Sequence, residues 1–113
     1  FSTNTASNFF ALSSQSLTDV KDKVVPNQFI LEQNYPNPFN PATTIKYSIP
    51  VSQFVMLKVY DVLGKEIATL INKEQEAGNY VVEFNGSSLA SGIYLFKLQT
   101  NNFVETKKMV LAK

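Results

Sequence analysis

A chain of 113 residues with no cysteine and no histidine is long enough for one domain with a linker. It has no disulfides, no thiolate or imidazole metal ligands and none of the commonest general base. A net charge of +1 gives no electrostatic case for nucleic acid, and no apolar run approaches the roughly 20 residues of a membrane helix.

The first residue is not Met and no signal peptide is visible, which reads as the tail of a longer precursor. Residues 1–28 read as a linker, or as the remnant of an upstream region. Phe1 to Ser16 is rich in Ser, Thr and Asn, and charges alternate over Thr18–Lys23. Phe9, Phe10 and Leu12 dissent, and fit an upstream remnant or a short strand on the edge of the main domain.

From Phe29 the pattern is β throughout. Phe29–Gln33 leads into Asn34-Tyr-Pro-Asn-Pro-Phe-Asn-Pro41. Its three prolines push Tyr35, Asn37 and Asn40 towards extended or polyproline geometry. A stiff loop is expected, with Tyr35 and Phe39 plugging one end of a core. Thr43–Ile49 alternates, with Ile45, Tyr47 and Ile49 on one face, and Pro50 ends it. Phe54–Asp61 places Val55, Leu57 and Val59 inward. Val62-Leu-Gly-Lys65 is a hairpin turn with Gly64 at positive φ.

Glu66–Ile71 returns, and Asn72–Gly78 reads as a polar loop with a helical turn in Lys73–Glu76. Asn79–Phe84 puts Tyr80, Val82 and Phe84 on one face. Asn85-Gly86 begins another turn, and Leu89–Gly92 leads into a sixth strand ending at Thr100. After a turn at Asn101-Asn102 a seventh strand runs to Lys113. Seven short strands at this spacing predict a seven-stranded antiparallel β-sandwich of immunoglobulin-like or fibronectin-like type over residues 29–113. Tyr94, near the start of the sixth strand, suits a tyrosine corner or a plain core aromatic.

The inventory of reactive groups is short, and the expectation is a chain that is not an enzyme and holds no metal or cofactor. The serines sit in the linker and turns, with no nucleophile elbow. Asp61 and Glu66 flank a hairpin and read foremost as solvated turn residues. Asn37, Asn40 and Asp61 carry oxygens, but without the spacing of a calcium loop. A carbohydrate-binding accessory module is the alternative. Most rings alternate in phase with aliphatics, however, and only Phe54, Tyr60 and Phe103 fall out of phase or near turns.

The last strand is unusual. Met109-Val110-Leu111 is apolar on both parities, Lys107 and Lys108 precede it and Lys113 closes it. Lysines on an edge strand guard against edge-to-edge aggregation, which accounts for the charges alone.

An ordered set of segments resembles the type A C-terminal sorting domain of the type IX (Por) secretion system. It comprises Leu31–Pro41, Thr44–Pro50, Val59-Tyr-Asp-Val-Leu-Gly-Lys65, Ala77-Gly-Asn-Tyr80, Leu89-Ala-Ser-Gly-Ile-Tyr94 and Lys107–Lys113. The resemblance implies a non-catalytic secretion signal that carries an upstream cargo through the periplasm to the cell surface or the medium. An outer-membrane shuttle would recognise it and a sortase would remove it, cutting in or before the segment ahead of Phe29. Carried over by position, recognition would use Gly78, Tyr80, Gly92, Tyr94, Lys107, Lys108, Met109, Val110, Leu111 and Lys113. Gly78 and Gly92 equally suit tight turns, with Tyr80 and Tyr94 as packing residues. Exposed strand edges also allow a weak homodimer.

Overall fold

The structure, a computed structural model, describes residues 25–113. Phe9, Phe10, Leu12 and most of the stretch assigned to a linker lie outside the described residues. Seven strands appear in the expected order: β1 (Ile30–Leu31), β2 (Ala42–Ile49), β3 (Gln53–Asp61), β4 (Glu66–Gln75), β5 (Gly78–Asn85), β6 (Gly92–Gln99) and β7 (Val104–Leu111). The seven strands pair with one another antiparallel, in two sheets ordered β1-β2-β5 and β4-β3-β6-β7. The fold is therefore an all-β, immunoglobulin-like sandwich. Constant-type immunoglobulin domains keep the fourth strand with the first, second and fifth; here β4 joins β3, and the sheets divide three against four.

The core follows from alternation. Ile45, Tyr47 and Ile49 of β2, Val55, Leu57 and Val59 of β3, and Phe96 and Leu98 of β6 are almost completely buried. Successive strand side chains face opposite ways, so one parity of each strand fills the space between the sheets. Each such side chain contributes about 1.5–3 kcal/mol relative to leaving it in water. Phe84, Met109 and Leu111 complete the cluster, and Phe39 closes one end, edge-on to Phe84 at 6.2 Å.

One polar bond crosses between the sheets. The buried hydroxyl of Tyr47 donates to Gln75 Oε1 at 2.5 Å, and its ring stacks on Tyr80. Burial pushes the Tyr47 phenol up to about 12.

Three local expectations are corrected. The polar loop with a helical turn at Lys73–Glu76 is strand: β4 runs to Gln75 because Gln53, Phe54 and Val55 of β3 offer partners to Gln75, Glu74 and Lys73. Tyr35 does not plug the core and is 80% exposed, whereas Phe39 does. Asn34 takes the inward position, and its neighbour in an extended chain must then face out; Tyr35 is held there by mutual backbone bonds with Thr44. Finally, β7 stops at Leu111 rather than Lys113. The amide of Ala112 turns to Phe39 O and that of Lys113 to Ser91 Oγ.

Candidate functional site

The seventh strand is one of the two edges of the four-stranded sheet, and its two faces differ. Alternation turns Met109 and Leu111 into the core, where both are fully buried. Lys107 shares that face opposite Phe96, partly exposed and paired with Glu105 at 3.3 Å. Lys108 and Val110 face outward, beside Leu95 and Ile93 of β6. Lys113 is exposed, with its ammonium donating to Ser87 O at 2.7 Å.

The free edge of β7 is closed over its second half by the proline-rich loop. Gln33 Nε2 donates to Lys108 O at 2.7 Å, and Val110 N–H donates to Asn37 Oδ1 at 2.9 Å. Phe39 N–H donates to Val110 O, and Phe39 O accepts from Ala112 N–H, which gives a parallel bridge between Phe39 and Leu111. Gln33 also donates to Asn34 Oδ1. The buried Asn34 passes the network on, donating to Thr43 Oγ1 and Pro36 O, and Thr43 in turn donates to Pro36 O. The loop is thus a polar clasp with one aromatic plug. Alternation leaves the outward backbone groups of Val104 and Thr106 facing the same way, and among the described residues nothing bonds them.

The two Gly-x-Tyr segments make the same local structure twice. Tyr80 O–H donates to Glu76 O at 2.5 Å and Tyr94 O–H to Ala90 O at 2.6 Å. In each case the hydroxyl ties down the corner that leads into its strand, so Tyr94 does form a tyrosine corner. Gly78 opens β5 and Gly92 opens β6. At Gly92 φ is 154°, and no atom lies within 4 Å of where a Cβ would stand; the backbone conformation, not crowding, asks for glycine there.

The structure brings some of the expected residues together and separates others. Gly92 pairs with Leu111 and Tyr94 with Met109, so these four share the β6–β7 ladder. Gly78 and Tyr80 belong to the other sheet, opposite Ile49 and Tyr47. Sequence reasoning missed Gln33, Asn34 and Asn37. Their only signal was a set of amides in a rigid proline loop, more than 70 residues from the carbonyl and amide they meet.

The other candidate groups are taken up by local contacts. The Asp61 carboxylate accepts from the N–H groups of Leu63 and Lys65, and Glu66 is engaged by Lys58 and Thr69, so the two acids do not form a pair. Phe103 stacks on Phe29 at 4.9 Å, and Lys97 covers Tyr60. Phe54 is left without them, and no common platform of three rings forms.

An immunoglobulin-like sandwich with two tyrosine-tied corners and a clasped edge strand is the class that this arrangement defines. The family model of the secretion system C-terminal sorting domain matches residues 33–112. The chain belongs to that family, the sorting domains of type IX secretion, whose role is export to the cell surface or beyond. No curated protein and no solved structure matches the chain.

Proposed function

We propose that the folded sandwich is itself the address: an outer-membrane shuttle of the type IX system reads the outward side of β7, at Lys108 and Val110, together with Lys113 just beyond the strand, and carries the upstream cargo out. A sortase then cuts ahead of Phe29. Met109 and Leu111 serve by anchoring the strand, and Gly78, Tyr80, Gly92 and Tyr94 serve by fixing the corners of β5 and β6. The observation that carries this reading is the division of β7 into a locked face and a presented one. A rigid strand loses little freedom on binding, and lysines at its surface steer an acidic partner.

The test is export of residues 1–113 fused to a folded reporter in a bacterium with this machinery. Deleting Lys107–Lys113 removes two core residues as well as the address, so that deletion should abolish both folding and export. The discriminating variant is K108A/K113A, which leaves the core intact. It is expected to keep the wild-type melting midpoint and to lower surface reporter by about tenfold. A truncated fusion that folds and is still exported contradicts this reading.

A further inference from the structure

We infer that the partner docks on the outer face of the four-stranded sheet at the Asp61–Lys65 hairpin, with Val62 and Leu63 as the apolar tip and Lys97 and Lys108 as the rim. This rests on the sorting-signal reading and specifies the surface that would serve it. The occupant is a protein surface with an apolar pocket and an acidic border.

The hairpin is built to be rigid. Asp61 Oδ1 accepts from Leu63 N–H and Lys65 N–H, both at 2.9 Å. Gly64 N–H donates to Asp61 O and Asp61 N–H to Lys65 O, both at 3.0 Å. Gly64 sits at φ 88°, where only glycine is unstrained. This chemistry requires Asp and Gly and makes no demand on the two residues between them, which in most turns are polar. Here they are Val62, 64% exposed, and Leu63, 90% exposed. Neither supports the fold from that position, and a rigid tip loses little entropy when it enters a pocket.

The face behind the tip continues it. Leu95 pairs with Tyr60 on one side and Lys108 on the other, and Ile93, itself exposed, pairs with Val110. The turn leaves β3 just after Asp61 pairs with Tyr94, one residue from Ile93. An apolar patch with a charged rim marks a protein contact.

The sign of the rim identifies the occupant. Lys58 is matched by Glu66 and the Asp61 carboxylate is turned to the turn backbone. Among the described residues Lys97 and Lys108 have no carboxylate within ion-pair distance. The remaining carboxylate of this face, Glu74, lies opposite Phe54 at the far end of β3 from the hairpin, so the uncompensated charge beside Val62 and Leu63 is positive and complements an acidic partner. The outer face of the other sheet differs in charge: its apolar groups, Ile30, Tyr35 and Val81, lie among both signs, Lys46 and Glu83.

The experiment uses the 113-residue chain fused to the reporter, with export yield and melting midpoint measured together. Leu63→Asp should lower export by about tenfold or more at an unchanged midpoint, and K97E/K108E by several-fold. Val81→Asp, a charge placed on the opposite face, should export like wild type. If Leu63→Asp shifts the midpoint, Leu63→Ser provides the same comparison. Retention of the wild-type fusion would remove the sorting reading and this inference together. Export of wild type with Leu63→Asp within about twofold of it would overturn the inference alone. So would a sedimentation result in which Leu63→Asp only dissociates a dimer of the chain while export is unchanged, since the patch would then belong to a second copy.

Discussion

The four-stranded sheet has two edges, and they are protected in different ways. Both carry a lysine on the inward parity of the strand: Lys107 on β7, and Lys73 on β4, which shares the face of Val55. Inward charges at an edge deter a further strand. The edge of β4 adds two register shifts against β3, at Leu57/Lys58 and Val59/Tyr60, which twist the strand. The edge of β7 has neither shift. It is covered instead by the Gln33–Phe39 clasp, through backbone bonds and a buried amide network. Generic polarity suffices where a strand need only stay unpaired, whereas β7 is held in one fixed position. A partner that reads Lys108 and Val110 benefits from that constraint.

The strongest way to break the difference is to remove the plug. Phe39→Ala takes a fully buried ring from between Phe84 and the end of β7. It should cost about 3–5 kcal/mol, read as a drop in the denaturant midpoint. Amide exchange of Val110 and Ala112, which bond Asn37 and Phe39, should accelerate more than that of β4. Equal acceleration at both edges would mean that the clasp is no more than part of the general core.

The alkaline limb sharpens the contrast from the other side, because Tyr47 anchors the end of β4 through Gln75. Its phenol is raised from 10.0 to about 12 in the fold. A raised pKa stabilises the fold fully below the unfolded value, and that stability is lost as pH rises from about 10 through 12. The loss should reach roughly 2–3 kcal/mol, and Tyr47→Phe should abolish this alkaline slope. A stability profile of Tyr47→Phe that falls as steeply as wild type over that range would place the titration elsewhere.

Much of this was legible in the sequence and some was not, for one physical reason. Alternation is local, so Ile45, Tyr47 and Ile49, or Val55, Leu57 and Val59, announce their burial from their own spacing. The turn at Asp61–Lys65 and the corner at Tyr94 are also local. The clasp is not: the amide of Asn37 meets a backbone group 73 positions away, and nothing around Asn37 encodes that partner. Tyr35 failed as a plug because an adjacent amide, Asn34, is buried by bonds to Thr43 and Pro36 that outweigh the preference for an aromatic inside. Likewise the polar composition of Lys73–Gln75 suggested a loop, but the start of β3 supplied a paired neighbour. For the candidate site, β7 is marked by its own composition, while the division of its residues into buried and outward side chains follows from its register with β6.

A smaller effect isolates the polar part of the clasp. Asn34→Ala removes both donors to Thr43 Oγ1 and Pro36 O and the acceptor for Gln33. Leaving buried partners unsatisfied costs about 1–3 kcal/mol. Gln33 would then hold Lys108 O without its own support, so export should fall more than the stability loss alone explains. Phe39→Leu, which keeps the network and trims the plug, is the matched control.

The smallest expected effect lies on the other edge. Lys73→Val replaces an exposed, inward-facing charge near the end of β4. It creates no cavity and breaks no bond, so stability should stay within about 0.5 kcal/mol of wild type. What should change is association. With its inward charge gone, β4 is a ten-residue strand whose outer side no other strand among the described residues covers, and a second copy can add to it. Sedimentation velocity should show a concentration-dependent dimer for Lys73→Val and not for the corresponding Lys107→Val, because the clasp still occupies half of the β7 edge. Equal association in the two variants would show that the inward lysine, rather than the clasp, is what protects both edges.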